Sequence, residues 1–406
     1  MTQIAPTTCR LLASLAMVFT ALWIAGCASK AAQTTATLSR TELPFEQAIT
    51  EVTDGLLAQA PKLPDLVLSK VPVRRGVMID PMLDAASGQR TAATREFEQR
   101  VTNRIGTKAG QLEVLPFRTA NIGKAQYLLT GTMTRTQAEQ ANSPLRLDLA
   151  LTEFKTGKIV AQASSLARGD GVDNTPTAYY RDSPVFVKDQ VIEGYIKTAA
   201  GKPGTTANLP YFERVDAATM VSDAGDLYDA ERYQDALGQY RRALASPGGQ
   251  QLRVFNGIYL SSMKLGKLDE AEEAFGRIVA MGIGANQLGV KFLFNPGGTT
   301  FWSDPKVSGA YDMWLRQIAR ESNWANVCMD IVGHTSHTGP AAFNDALSLK
   351  RAGFIRQRLM AEARNLDSRT RADGKGFREN IVGSASDDVV DALDRRVEFK
   401  IVSCAL

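Results

Sequence analysis

Histidine and cysteine are scarce in this chain, which restricts the chemistry that it can support. Among 406 residues there are two histidines, His334 and His337, and four cysteines. A zinc site takes three or four protein ligands, and no cysteine or carboxylate cluster stands beside the two histidines in the sequence. A catalytic Ser-His or Cys-His pair would depend on the same short segment, and no phosphate-binding glycine-rich loop is present. We therefore predict no catalytic residues, no metal and no cofactor.

Net charge and long apolar runs are also limited. The formal net charge is +4, whereas a nucleic-acid binder would show a concentrated basic stripe. Hydrophobic and charged contents of 44% and 22% are ordinary for globular domains, and the length predicts two or three of them. Beyond the N-terminus, no apolar stretch is long enough to cross a bilayer.

The N-terminus has the features of a bacterial lipoprotein signal. Arg10 precedes an apolar run over 11–25, which is short for a membrane span but suits a signal-peptide core. Residues 24–27 read Ile-Ala-Gly-Cys and resemble the lipobox, which implies cleavage after residue 26 and acylation of Cys27. The residues after Cys27 are Ala and Ser, a pair that favours the outer membrane under the family's sorting rule. The alternative is a plain signal peptide with an incidental cysteine.

We predict that segment 27–68 is a lipidated tether with a first helix. Segment 69–200 is predicted to be a periplasmic α/β domain. Helical spacing of Phe97, Val101 and Ile105 and a Lys-Thr-Gly-Lys hairpin signal at 155–158 support the second. This domain resembles the periplasmic α/β domains of the curli secretion lipoprotein and of the activators of peptidoglycan synthases. The shared features are the strand that ends in Asp80, the Leu-Leu-Thr-Gly run and the hairpin. Residues 199–210, rich in Gly, Pro and Thr, predict an interdomain linker.

Residues 216–283 carry an internal repeat. The four residues 233–236 align with 268–271, and alanines and large apolar residues recur at the same offsets around them. The pattern resembles the tetratricopeptide repeat, whose small residues let paired helices approach closely. Two interpretations remain open for these two units: a groove that binds envelope proteins, or a spacer between domains.

The C-terminal segment 288–406 alternates strand and helix patterns, which predicts a two-layer α/β sandwich and makes the whole chain an α+β multidomain protein. A strand over 327–332 leads to the polar loop 333–339 and to a helix whose apolar residues recur with helical spacing. With the terminal strand 396–402, the run 332–352 resembles the OmpA-like peptidoglycan-binding domain.

The resemblance implies a ligand and a set of binding residues. In that family the ligand is the diaminopimelate of the peptidoglycan stem peptide, and an arginine binds its carboxylate. The arginine falls on Arg351, the helix asparagine on Asn344 and a loop hydroxyl on Thr335. Two family aspartates fall on Ser336 and Asn295, which are neutral here. We therefore expect a site with its basic half intact and its acidic half missing.

The remaining cysteines and the terminal charged residues have structural assignments. Cys328 and Cys404 lie in predicted strands, and an oxidising compartment would allow a disulfide if those strands are neighbours. Two buried thiols are the alternative. Arg395, Arg396 and Glu398 are expected mainly to form ion pairs within the domain.

Two functions follow from these observations. The first is an outer-membrane lipoprotein that faces the periplasm and tethers the envelope to peptidoglycan without catalysis. The second is an assembly or wall-synthesis scaffold that acts through protein contacts and binds peptidoglycan weakly, because Ser336 and Asn295 lack the acids.

Overall fold

Two β-sheets and a block of helices that lies between them in the sequence make up the described part of the chain. The computed structural model describes residues 41–59, 74–137, 143–186, 188–385 and 387–404. The predicted signal peptide, Cys27 and most of the predicted tether lie outside those residues. The prediction of a mixed α+β chain is confirmed. In these ranges, no helix has both the length and the apolar character needed to cross a bilayer.

The first sheet has seven strands and mixes parallel with antiparallel pairing. In chain order they are β1 (Glu42–Leu43), β2 (Arg75–Ile79), β3 (Leu83–Asp84), β4 (Leu112–Leu115), β5 (Ala125–Arg135), β6 (Leu145–Glu153) and β7 (Ile159–Ala167). Across the sheet the order is β1-β7-β6-β5-β2-β4, and β3 pairs with β5. Strand β2 is parallel to β4 and β5. Strands β6 and β7 form the predicted hairpin.

Helices cover both faces of this sheet. They are α1 (Phe45–Leu57), α2 (Ala92–Lys108), α3 (Thr119–Ile122), α4 (Ala178–Asp182), α5 (Gln190–Ala199) and α6 (Leu209–Phe212). Ile49 of α1 and Phe97 of α2 share one apolar cluster with β5, and Tyr195 and Tyr211 belong to a cluster on the other face. The interpretation of 199–210 as a linker was wrong, because Ala207 is buried and its amide donates to the Gly157 carbonyl at 2.8 Å.

Four helices follow and pack as two hairpins. They are α7 (Val215–Asp229), α8 (Tyr233–Ala245), α9 (Leu252–Lys264) and α10 (Leu268–Ala285). A glycine is required where α8 meets α9, since a Cβ added to Gly257 would lie 2.2 Å from the ring of Tyr240. These elements span the predicted repeat.

The second sheet has four strands and carries its long helices on one face. Its elements are β8 (Leu288–Val290), α11 (Pro305–Ser308), α12 (Tyr311–Trp324), β9 (Cys328–Gly333), α13 (Ala341–Glu362), β10 (Thr370–Gly374) and β11 (Val397–Val402), with 3-10 turns at Arg364–Leu366 and Val390–Leu393. The order is β10-β9-β11-β8. Strand β9 is parallel to β10 and antiparallel to β11. Strand β10 had no counterpart among the predicted strands.

The helical block and the second sheet share one apolar core. Phe275 of α10, Trp314 of α12 and Phe399 of β11 belong to a single buried cluster. The rings of Phe275 and Trp314 stack with their centroids 5.5 Å apart. The block is therefore fixed against the C-terminal domain by continuous packing.

Cys328 and Cys404 lie at one end of this sheet. Strands β9 and β11 are adjacent, and Val402 is the register partner of Cys328. The two cysteines form a disulfide, with their Cα atoms 5.2 Å apart. The bond joins the start of β9 to the end of the chain, whereas the polar loop of interest leaves the opposite end of β9.

Candidate functional site

A cleft of about 500 Å³ opens where β9 ends and α13 begins. Three loops surround it: residues 292–302, the loop 334–340, and the loop 383–396 before the last strand. Close packing of α13 on the end of β9 places the first turns of the helix at the cleft, because Gly333 lacks a Cβ that would lie 2.1 Å from the Ser348 carbonyl oxygen. Its polar lining comes from Thr335, Ser336, Thr338, Asn344, Arg351, Asp387 and Arg395.

Arg351 is the cation at the base of the cleft, one turn after Leu347 on α13. Its residue is 8% exposed. Nε donates to the Gly298 carbonyl at 3.0 Å, Nη2 donates to the Asn295 carbonyl at 3.4 Å, and Cζ lies 4.8 Å from the centre of the Phe294 ring. None of the ion pairs formed by the described residues includes Arg351.

Burial changes the electrostatics of this guanidinium. Desolvation lowers the pKa of Arg351 to about 10, the nearby charge of Arg395 acts in the same direction, and the charge of Asp387 acts against both. The group still remains cationic near neutral pH. A buried cation without a counter-ion is costly, so an incoming anion would find a strong and directed partner.

Asn344 and Thr335 shape the loop that borders the cleft. The Asn344 side-chain amide donates to the Thr338 carbonyl at 2.7 Å and to the Pro340 carbonyl at 3.2 Å. The Thr335 backbone amide donates to the Gly376 carbonyl, while its buried hydroxyl has no partner among the described residues. Asn344 thus ties the loop to the helix, and the Thr335 hydroxyl lies buried beside the cleft without a hydrogen bond.

Asn295 is placed differently from the other predicted binding residues. It is absent from the residues that line the cleft. Its side-chain amide donates to the Thr300 hydroxyl at 3.0 Å and to the Phe301 carbonyl at 3.1 Å, while its backbone carbonyl accepts from Arg351. Asn295 therefore lies outside the cleft and holds the Arg351 side chain through its backbone carbonyl.

Ser336 reaches an acid that the sequence comparison missed. Its hydroxyl donates to Asp387 Oδ1 at 2.6 Å, across 51 positions of sequence. Arg395 Nη1 donates to the same oxygen at 2.9 Å. The ion pairing expected of Arg395 is therefore made with Asp387, and both residues line the cleft. A signal for this acid existed in the two consecutive aspartates at 387 and 388, within a domain whose expected acidic positions were neutral.

Two buried carboxylates shape the loop that carries Asp387. Asp394 accepts the backbone amides of 381, 382 and 383, at 2.7, 3.0 and 2.8 Å. Asp391 accepts the amides of Ser384 and Asp387, at 3.0 and 3.1 Å. Since both carboxylates lie fully inside the protein, these bonds fix the loop from within and set the position of Asp387.

The histidines take no part in the cleft's charges. His334, Glu379 and Glu398 bring ligand-type atoms within 4.8 Å of one another. Arg396 Nε already donates to Glu398 at 2.7 Å, and Lys400 pairs with Glu379 at 3.0 Å and with Glu398 at 3.3 Å. We interpret this cluster as an ion-pair network. His337 packs against Phe377, with ring centroids 4.1 Å apart.

A second, small cavity, of about 50 Å³, lies between the first sheet and the helical block. Asp80 stands there at the end of β2, and the Tyr211 hydroxyl donates to its Oδ2 at 2.6 Å. Desolvation raises the pKa of Asp80 to about 7 despite that hydrogen bond. The predicted strand end at Asp80 is thus a buried carboxyl group.

Comparison with solved structures yields partial likenesses to 17 chains, two of which are described below. No family model and no curated protein matches the chain. The peptidoglycan-associated lipoprotein from Burkholderia pseudomallei is 23% identical over 28% of this chain and 89% of its own, with a TM-score of 0.23. A MotB-like protein from Desulfovibrio vulgaris is 19% identical over 34% of this chain and 96% of its own, with a TM-score of 0.25. At these TM-scores neither likeness supports a functional conclusion, so function is inferred from the geometry of the cleft.

Proposed function

We propose that the chain is a non-enzymatic lipoprotein of the outer membrane that binds peptidoglycan with its C-terminal domain. The observation that carries the proposal is Arg351, a buried guanidinium at the base of an open cleft that forms no ion pair with the described residues. A stem-peptide carboxylate, as in diaminopimelate, would supply the missing counter-ion. The planar donor fork of arginine suits the two oxygens of such a group.

The anchor and the partners complete this proposal. Acylation of Cys27 would hold the chain at the outer membrane with its folded part in the periplasm. The helical block would present a surface to other envelope proteins. Its shared core with the C-terminal domain favours the spacer interpretation, since the packing fixes the block against that domain.

Sedimentation with purified sacculi tests the central claim. Hydrogen bonds to charged groups contribute roughly 1.5 to 3 kcal/mol, so Arg351→Ala should weaken retention by about 10- to 100-fold. Lys350→Ala is the matched control, because it removes an exposed positive charge at the neighbouring position outside the cleft. Arg351→Lys separates charge from geometry and should recover only part of the loss.

Two results would count against the proposal. If the wild-type protein stays in the supernatant, the tether function fails. If Arg351→Ala and Lys350→Ala are retained equally and both melt like the wild type, the cleft is not the binding site.

The scaffold function depended on the absence of acids at positions 336 and 295. The hydrogen bond from Ser336 to Asp387 brings a carboxylate to the same region of the cleft. This contact favours peptidoglycan binding over a scaffold with a weakened site.

A further inference from the structure

Asp387 supplies a carboxylate to the same cleft as the unpaired Arg351. Both of its side-chain hydrogen bonds, from Ser336 and from Arg395, go to Oδ1. In the described residues no donor reaches Oδ2, and the side chain is 53% exposed. One oxygen is therefore held by the protein while the other is open to a ligand.

The backbone conformation at Asp387 is an unusual one that the surrounding loop stabilises. Its φ is 54°, in the left-handed region that residues other than glycine rarely adopt. Aspartate and asparagine tolerate that region better than most residues. The hydrogen bond from the Asp387 backbone amide to the Asp391 carboxylate stabilises this conformation. Asparagine at 387 would therefore preserve the loop and remove only the charge.

The charges of the cleft define the kind of ligand. Arg395 donates to Oδ1 of Asp387 at 2.9 Å, so the exposed Oδ2 still presents negative charge to the cleft, while Arg351 presents positive charge. A dicarboxylate would satisfy Arg351 and be repelled by Asp387. A group that carries both a carboxylate and an ammonium would satisfy both.

We propose that Asp387 binds the ammonium of a diamino acid in the stem peptide, and that Ser336 and Arg395 are positioning residues that orient its carboxylate. This inference rests on the proposed peptidoglycan binding. The acidic half of the site is thus provided by a loop that is distant in the sequence. The Ser336 hydroxyl holds the Asp387 carboxylate by donating a hydrogen bond to it.

Soluble competitors of sacculus retention test the role of the charge. Diaminopimelate and pimelate have the same carbon chain and the same two carboxylates, but only diaminopimelate has ammonium groups. For the full-length wild type in detergent, diaminopimelate should compete better than pimelate. Half-exposed ion pairs contribute modestly, so Asp387→Asn should weaken retention by roughly three- to tenfold and remove the preference for diaminopimelate. Asp312→Asn, which removes an exposed acid on α12 outside the cleft, is the matched control.

A double variant provides the rescue. Ser336→Asp together with Asp387→Asn should restore retention and the preference for diaminopimelate, because the charge returns within one hydrogen-bond length. Ser336→Asp alone should not increase retention, since it would place two carboxylates side by side.

The outcomes separate this inference from the proposed function. If Asp387→Asn keeps wild-type retention and the wild-type preference while Arg351→Ala loses retention, Asp387 has no role in binding and the proposed function stands. If Ser336→Asp alone sharply increases retention, the acid was missing in the wild type and the inference is wrong. If wild-type protein does not sediment with sacculi, both fail.

Discussion

Asp80 in the first-sheet cavity and Arg351 in the C-terminal cleft are both buried charged residues, yet they differ in how their charge can be neutralised. Asp80 is 5% exposed and Arg351 is 8% exposed. Burial raises the pKa of Asp80 to about 7, so this carboxyl can take up a proton near neutral pH. Burial lowers the pKa of Arg351 only to about 10, so the guanidinium keeps its charge.

The comparison separates a structural charge from one available to a ligand. Tyr211 closes over Asp80 with a hydrogen bond of 2.6 Å, and protonation can remove the remaining cost of burial. Arg351 keeps its proton and lines the cleft, and no described carboxylate forms an ion pair with it, so a bound anion would complete its neutralisation. A buried titratable group is thus a weaker indication of a ligand site than a buried permanent charge beside an opening.

Removing the disulfide should have the largest effect on stability and little effect on the cleft. The bond closes a loop over a sequence separation of 76, for which the chain-entropy model predicts about 4 kcal/mol. Replacing Cys328 and Cys404 with serine should lower the melting temperature of the C-terminal half. Sacculus retention below that temperature should stay at the wild-type level, because the bond lies at the end of β9 opposite the cleft.

Two measurements check this prediction. Unreduced and reduced protein should migrate differently in electrophoresis, and both thiols should resist alkylation before reduction. Equal migration with two alkylatable thiols would favour the alternative of two free cysteines.

Asp80 should make stability depend on pH. Its pKa is raised on folding from the usual value near 3.8 to about 7, so the folded state binds the extra proton between those values. Stability should therefore fall as pH rises through this window, by about 1.4 kcal/mol per pH unit at most. Asp80→Asn should remove that slope, measured as the difference between the two unfolding curves at pH 5, 6, 7 and 8.

Binding provides the control for Asp80. Sacculus retention by Asp80→Asn should match the wild type, whereas Arg351→Ala should lose retention and keep the wild-type pH slope. A parallel pH slope in wild type and Asp80→Asn would show that Asp80 stays ionised in the fold, and the contrast with Arg351 would then disappear.

The rim of the cleft should contribute the smallest effect. Trp302 and Phe343 are 37% and 54% exposed, and both line the cleft. Such aromatic surfaces suit the apolar faces of a bound peptide or sugar. Trp302→Ala should weaken sacculus retention by a few fold, less than Arg351→Ala. Trp324→Ala, which removes a tryptophan that is 88% exposed on α12, is the control and should change nothing.

Sequence patterns with short periods predicted much of the architecture. Apolar spacing and turn residues that lie close together in the sequence predicted the β6–β7 hairpin, the four repeat helices and α13. The packed segment 199–210 and strand β10 were missed. The glycine and proline content of 199–210 is locally the same as that of a linker. Strand β10 is short and only partly buried, so its apolar pattern is weak.

The sequence by itself determined that Arg351 would lie on the helix that follows a polar loop, because helical periodicity and the loop motif are local. Only the tertiary structure decided whether that arginine has an acidic companion. Ser336 and Asp387 meet across 51 positions, through a loop held by the buried Asp391 and Asp394. Their contact depends on how three loops converge at one end of a sheet, which no local pattern encodes. The acidic half that was expected to be missing therefore comes from elsewhere in the chain.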